Sequence, residues 1–175
     1  MPTLRSLVRL IDHINDGIGR TTAWVALAMV LVQFAIVVLR YIYGIGSILL
    51  QESVVYMHAF LFLIGAGYTL LRGGHVRVDI FYRNATPRAK AWVDLFGVLA
   101  FLLPVCVLLW WFSWPYVMAS WHVFEGSKET SGIQAVYLLK TLILVFCLLV
   151  SAQGAALALR SLLVLADVER VRPTS

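Results

Sequence analysis

Few side chains of this protein could do chemistry, and their spacing does not indicate a catalytic or metal site. Of the four histidines, only His58 lies inside a long apolar stretch, whereas a haem held by two histidines within a membrane needs a second one there. Cys106 and Cys147 each stand alone, so the paired spacing of a dithiol redox site is absent. We therefore predict that the chain is not an enzyme and that it holds no catalytic residue, metal, substrate site or cofactor of its own.

Gln33 and His58 fall at a similar depth in two adjacent apolar stretches, counted at about 1.5 Å per helical residue. We predict a hydrogen bond between them, which in a membrane contributes on the order of 1 kcal/mol. If His58 has only a structural role, it is a neutral, packed side chain. The alternative, functional interpretation is a haem or proton site. No Asp, Glu, Lys or Arg lies near the centre of any of these stretches, which argues against a proton relay or an ion-coupled carrier within this chain.

The elements that must position these residues are membrane-spanning helices. The chain is 61% hydrophobic and 13% charged, whereas a soluble domain averages about 45–50% apolar and about 25% charged residues. Four stretches carry no charged residue, and each has about the 20 residues that cross a bilayer as a helix; they are Thr21–Leu39, Ser53–Leu71, Leu95–Val117 and Thr141–Leu159. We predict an all-α integral membrane protein with one domain over residues 1–175. Its four spans are expected at about 21–43, 50–71, 92–117 and 137–160.

Two features inside the spans predict local geometry. Pro104 lacks the amide hydrogen that its helical turn needs, so we expect the third span to be bent or locally opened there. In the fourth span, Gly154 and Ala158 belong to a set of small residues spaced four apart, which is typical of close helix approach in membranes.

The distribution of positive charge predicts the orientation. Of the 14 Lys and Arg residues, eleven lie before the first span, between the second and third spans, or after the fourth. By the positive-inside rule, both termini and the second connection are therefore cytoplasmic.

The first twenty residues predict an amphipathic helix that lies along the cytoplasmic membrane surface. Apolar residues recur on one helical stripe from Leu4 to Ile18. Arg5 and Arg9 would then face anionic lipid headgroups. The alternative is that this segment is a plain extension of the first span.

Charged residues near the span ends suggest ties between helices. Three from different spans fall at one level of the outer rim, namely Arg40, Glu52 and Lys140. Four others form a matching set at the inner rim, namely Arg20, Arg72, Asp94 and Arg160. The outer set predicts an interhelical or intersubunit clamp, and the alternative for both sets is solvated charges that each contribute little.

Three motifs surround the second span. Gln51-Glu52-Ser53 opens it, Gly65-Ala66-Gly67-Tyr68 lies near its end, and the exit motif Gly73-Gly74-His75-Val76-Arg77-Val78-Asp79 follows it. Together with the four-span plan, these motifs resemble the small membrane subunit of tripartite ATP-independent periplasmic (TRAP) transporters, the DctQ type. The two glycines are typical of a helix C-terminus. We expect His75, Arg77 and Asp79 to bind this connection to the bundle or to a partner; a solvated connection held by lipid phosphates is the alternative.

The resemblance implies a role in transport. In this family the small permease subunit pairs with a large multispan membrane subunit, which carries the substrate and sodium sites, and a periplasmic binding protein delivers an organic acid of the dicarboxylate, keto acid or sialic acid type. The chain would then be a scaffold in the bacterial inner membrane that braces the large subunit during sodium symport, in contact with membrane lipids and not with nucleic acid.

Two other functions remain open from the residues alone. One is the haem- and quinone-associated membrane anchor of a respiratory enzyme, against which the lack of a second intramembrane histidine counts. The other is a self-assembling small efflux pump, which would be expected to need a central carboxylate.

Overall fold

The computed structural model describes residues 2–75 and 85–171 of the chain. Its helices are α1 (Pro2–Tyr43), α2 (Ile48–Leu71), α3 (Pro87–Gly97), α4 (Leu103–His122) and α5 (Val136–Val171). In the described residues, four segments are long and apolar enough to cross a membrane, namely Ser6–Tyr43, Ile48–Leu71, Pro87–His122 and Val136–Ala166. The prediction of an all-helical chain with four spanning helices is confirmed.

The first helix is a single rod of 42 residues. The predicted interfacial helix over residues 1–20 is therefore not a separate element, because the chain does not break or turn near residue 20. The alternative, an extension of the first span, is what the structure has. On this segment Val8 and Asn15 are buried and Asn15 bonds to α5, whereas Leu4, Leu7 and Ile14 of the predicted apolar stripe are exposed.

A wide π turn, Val98–Leu102, joins α3 to α4 and makes them one continuous third span. The turn comes directly before Pro104, which has no amide hydrogen and whose ring would collide with the carbonyl one turn earlier. The amide of Leu103 bonds instead to the carbonyl of Val98, five residues back. The predicted local opening at Pro104 is confirmed, and its form is a π bulge.

Hydrogen bonds between residues near in sequence cap both ends of the second span. The Ser47 hydroxyl accepts a hydrogen bond from the amide of Leu50, which caps the start of α2. At the other end, Gly73 adopts a positive φ of 65°, and the amide of Gly74 bonds back to the Thr69 carbonyl at 2.9 Å. These bonds form the glycine-based helix terminus that the sequence predicts for this position.

The last helix is the centre of the bundle, because α5 contacts α1, α2, α3 and α4. Its small residues admit the neighbours closely, as predicted. A Cβ at Gly154 would come within 2.6 Å of Leu102 Cδ2 in the π turn. Ala158 packs with Leu95 and Val98 in the core. The outward faces of the other helices carry large apolar side chains such as Trp111, which is 74% exposed, as expected where lipid is the solvent.

Candidate functional site

Two clusters of polar side chains lie at opposite ends of the bundle. The N-terminal cluster comprises Asp12, Asn15, Asp16, Arg20, Arg72, Gln153 and Arg160, at the end where α1 begins and α5 leaves. The loop cluster comprises the side chains of Glu52, Ser120, Glu125, Ser127 and Lys140 and the backbone amide of Ile133, at the end where the segment 123–135 joins α4 to α5.

A directed chain of hydrogen bonds joins α1 to α5 in the N-terminal cluster. Asn15 Nδ2 donates to Gln153 Oε1 at 2.8 Å, and Gln153 Nε2 donates to Asp12 Oδ1 at 3.1 Å. Arg160 forms an ion pair with the same Asp12 oxygen. Asn15 and Gln153 are each only 1% exposed. Because an amide buried without a partner is costly, this chain fixes the rotation of α1 against α5.

The small residues of α2 let α1 approach the same place. A Cβ at Gly67 would overlap Asn15 Oδ1 and come within 3.3 Å of Leu149 Cβ. In return, Gly19 on α1 leaves room for the ring of Tyr68, which a Cβ at residue 19 would overlap. The Gly65-Ala66-Gly67-Tyr68 motif is therefore the contact surface between α2 and the beginning of α1.

Asp16 ties α1 to the end of α2. It forms ion pairs with Arg20, one turn later on the same helix at 2.7 Å, and with Arg72 at the α2 C-terminus. The hydrogen bond from Arg72 to Asp16 raises the pKa of the arginine above its usual range. Its guanidinium also lies over the Tyr68 ring, 5.3 Å from the centroid.

The arginines predicted at the inner rim thus pair with carboxylates of α1 that were not predicted to belong to this set. Arg20 and Arg72 share Asp16, and Arg160 pairs with Asp12. Asp94 is half-buried on α3. The missed signal is the spacing of Asp12, Asn15 and Asp16, which lie three and four residues apart and so share one face of α1.

Glu52 organises the loop cluster from the first turns of α2. Its Oε1 accepts a hydrogen bond from the Ser127 hydroxyl, and its Oε2 accepts one from the amide of Ile133 at 2.6 Å. Gly132 lies so close that a Cβ there would come within 2.7 Å of the Glu52 carboxylate. One carboxylate therefore holds two points of the 123–135 segment, Ser127 and Ile133, against α2.

Lys140 pairs with Glu125 and not with Glu52. Its ammonium also lies 4.0 Å from the centroid of the Tyr116 ring, and the Ser120 hydroxyl donates to Glu125 Oε2 at 2.7 Å. The hydrogen bond from Lys140, and then that from Ser120, lowers the pKa of the Glu125 carboxyl below its usual range.

Arg40, Glu52 and Lys140 are therefore not joined as a three-residue clamp within this chain. Arg40 is exposed and, among the described residues, makes no hydrogen bond or ion pair. The three residues do share a level, but Glu52 and Lys140 turn toward the 123–135 segment, which supplies closer partners for both.

The predicted hydrogen bond between Gln33 and His58 is also not formed. Both side chains are exposed on the outer surface of the α1–α2 pair. The His58 ring instead packs on Phe62 of its own helix, with ring centroids 4.6 Å apart. Equal depth does not bring two side chains together when the rotation of each helix points them outward.

The other predicted site residues are either exposed or outside the part of the chain that the structure describes. Arg9 Nη2 donates to the Ser6 hydroxyl at 3.5 Å on the exposed side of α1, and His75 is exposed after the end of α2. Arg77, Asp79 and the Arg5 side chain lie outside the described residues.

Two grooves of the bundle are lined by apolar and aromatic side chains. One of about 360 Å³ lies between α1, α2 and α5 and includes Val25, Phe60 and Leu142 in its lining. Another of about 510 Å³ is lined by Trp110, Trp111, Trp114 and Pro115 on α4. Neither lining carries a charged side chain, so neither offers a counter-charge to an anionic solute or a ligand set for a hard cation.

Comparison with known proteins points in one direction. Residues 29–166 match the sequence model of the family described as tripartite ATP-independent periplasmic transporters, DctQ component. Over 109 residues the chain is 34% identical to the C4-dicarboxylate TRAP transporter small permease protein DctQ of Vibrio cholerae. That match covers 61% of this chain and 45% of the relative, so the chain is matched to less than half of the relative's length. No solved structure matches the chain significantly.

Proposed function

Because this chain belongs to the DctQ family of tripartite ATP-independent periplasmic transporter components, we propose that it is the scaffold of a sodium-coupled organic-acid importer. The family is one of transport components, so the chain is a membrane transporter subunit and not an enzyme. In the proposed role it braces the fixed part of a large membrane subunit, while a periplasmic binding protein delivers the substrate.

One observation carries the scaffold role. In the described part of the chain, each buried polar side chain already makes a hydrogen bond within the protein. Asn15 and Gln153 bond to each other across two helices, Ser120 bonds to Glu125 of the 123–135 segment, and the others bond to carbonyls of their own helices. The groove between α1, α2 and α5 and the groove along α4 carry no charged side chain. A bundle whose buried polar groups hold helices together is suited to be a rigid support, and the substrate and sodium sites then belong to the large subunit.

The substrate proposal rests on the relative. The Vibrio cholerae protein is named for C4-dicarboxylate transport, and we extend that class to the importer of this chain, with keto acids and sialic acids as the other organic acids to test. Substrate choice is assigned to the large subunit and the binding protein.

The placement proposal rests on charge. Eleven of the 14 basic residues belong to the segments that precede the first span, join the second span to the third, or follow the fourth, so we assign those segments to the cytoplasm. The loop cluster then faces the periplasm of a bacterial inner membrane, on the side from which a binding protein approaches.

Uptake in proteoliposomes tests the function. The chain, its large subunit and the binding protein are reconstituted together, and entry of labelled C4-dicarboxylate is followed with and without an inward sodium gradient. We expect uptake that requires all three proteins and the gradient, and that is lost when this chain alone is omitted. Full uptake without this chain would contradict the scaffold role, and uptake without sodium would contradict the coupling.

A further inference from the structure

Gln33 and His58 point out of the bundle at the middle of the membrane. Each lies ten residues from the same end of its helix, Tyr43 for α1 and Ile48 for α2. At about 1.5 Å per residue, that is about 15 Å, or half of a hydrocarbon core about 30 Å thick. Both are exposed, and among the described residues neither makes a hydrogen bond.

These two side chains share one face with two more polar residues. Arg40 of α1 and Gln51 of α2 line the same small groove beside the turn that joins the two helices. Gln33 precedes Arg40 by seven residues, and His58 follows Gln51 by seven. Since seven residues are close to two helical turns, each pair stands on one stripe of its helix.

Apolar residues fill the rest of this surface. Val30 and Val37 lie between and beyond the polar residues of α1, and Val55 and Phe62 do so on α2; all four are exposed. We name this surface the α1/α2 face and define it by eight residues: Val30, Gln33, Val37, Arg40, Gln51, Val55, His58 and Phe62.

Lipid is a poor partner for such a surface. An amide and an imidazole in hydrocarbon lack the hydrogen bonds that water would give them, and intramembrane polar side chains therefore usually face protein. Arg40 adds a positive charge at the rim without a carboxylate among the described residues.

A second outward surface shows the contrast. Phe101 of the π turn and Val105, Leu108 and Phe112 of α4 form a stripe at the same kind of spacing, and all are exposed. This α4 face carries no polar side chain, so lipid suffices to cover it.

We propose that the α1/α2 face is the docking surface for a transmembrane segment of the large membrane subunit. That segment offers a hydrogen-bonding side chain near the membrane centre, opposite Gln33 and His58, and a carboxylate at the rim, opposite Arg40. The inference rests on the proposed function, because that function supplies the large subunit as the occupant.

Site-specific photocrosslinking in the intact complex tests the surface. A benzophenone side chain is placed at Val37 or Val55 on the α1/α2 face, and at Val105 or Leu108 on the α4 face as matched controls, with both subunits expressed together. We expect adducts with the large subunit from the first two positions and adducts with lipid alone from the controls. Adducts with the large subunit only from the controls would overturn the proposal. So would a second copy of this chain, or lipid alone, on the α1/α2 face.

The polar residues give a second readout. We expect Gln33→Leu and His58→Leu each to lower the amount of large subunit recovered with the chain by about fivefold, the loss that one intramembrane hydrogen bond predicts. Arg40→Gln should lower it as well and Arg40→Lys should retain it, whereas Phe112→Leu on the α4 face should have no effect. Unchanged recovery in all three α1/α2 variants would refute the docking surface.

Failure of the function and failure of the surface give different results. If the unmodified chain recovers no large subunit, the proposed function fails. If the large subunit is recovered but attaches through another face, the function stands and the docking surface alone is wrong.

Discussion

Gly67 lies where α2 passes closest to Asn15 of α1, and its missing side chain makes that contact possible. Asn15 Oδ1 is the buried side-chain atom that has no hydrogen-bond partner within the described residues, and it faces the glycine. The oxygen of the Asn15 amide therefore lacks a hydrogen bond at the place where the two helices approach closely. Its Nδ2 makes two hydrogen bonds, to Gln153 Oε1 and to the Ile11 carbonyl.

Gly67→Ala should therefore destabilise the protein, because the added methyl group overlaps Asn15 Oδ1. Forcing an extra carbon into a packed site costs about 1–3 kcal/mol, which should lower the melting temperature in detergent by several degrees. Gly65→Ala is the matched control on the same helix, since the nearest atom that its Cβ would meet is Thr22 Cγ2 at 3.5 Å. Equal melting temperatures for the two variants would contradict this packing.

Glu52→Ala should release the 123–135 segment from α2. The substitution leaves the Ile133 amide and the Ser127 hydroxyl without their acceptor, and a lost bond of this kind costs about 1–3 kcal/mol when the group stays buried. We expect faster cleavage of this segment by a protease added to the outside. Glu129→Gln serves as the control because Glu129 is exposed on the same segment, and cleavage as fast in the control would argue against the role of Glu52.

Among the elements, the amino-terminal half of α1 packs against the bundle along one face and is exposed on its other faces. Its cluster residues bond to α5 and α2, and Gly19 receives the Tyr68 ring. Gly19→Ala should therefore weaken the bundle, whereas Gly17→Ala should strengthen it slightly, because no atom lies within 4 Å of a Cβ at residue 17 and alanine favours a helix over glycine by about 1 kcal/mol.

Thermal unfolding of both variants in detergent measures this difference. If the first twenty residues instead lie on the membrane surface, both glycines are free of tertiary contact, and both substitutions should stabilise the chain equally. That result would restore the interfacial helix that the sequence predicts.

The connection between α4 and α5 should be sensitive to acid through Glu125. Its pKa is lower in the folded protein than the ordinary value, because Lys140 and Ser120 donate hydrogen bonds to the carboxylate. A carboxyl group of this kind contributes stability that is present above its unfolded pKa, about 4.3 for glutamate, and that is lost as the pH falls through the folded pKa.

We therefore expect the melting temperature to fall as the pH is lowered from about 5 through the ordinary glutamate range, and to fall less steeply in Glu125→Gln. The comparison between the two chains matters, since every other carboxyl group contributes to both curves. Parallel curves would mean that the Glu125–Lys140 pair does not link stability to pH.

At the scale of the whole molecule, the sequence predicts the architecture well. Charge-free stretches of bilayer length have one physical cause, so the four spans follow from composition alone. The π turn before Pro104 and the glycine terminus at Gly73 also follow, because a missing amide and a positive φ act on the chain within a few residues.

The partners of the polar residues could not be predicted in the same way. Depth along a span follows from counting, but which side chains meet depends on the rotation of each helix, and packing against other helices sets that rotation. Lys140 pairs with Glu125 and not with Glu52, and Gln33 and His58 turn outward, although in each case the depths agree. The folded path of the 123–135 segment, which brings Ser127 and Ile133 to Glu52, leaves no periodic signal in the sequence.

Whether this chain is the subunit of a larger transporter is shown by purifying it from its native membrane in mild detergent and identifying everything that accompanies it by mass spectrometry. We expect a large multispan membrane protein in a fixed ratio to this chain. A homo-oligomer without such a partner, or a respiratory enzyme whose purified complex shows a strong haem absorption band, would contradict this expectation.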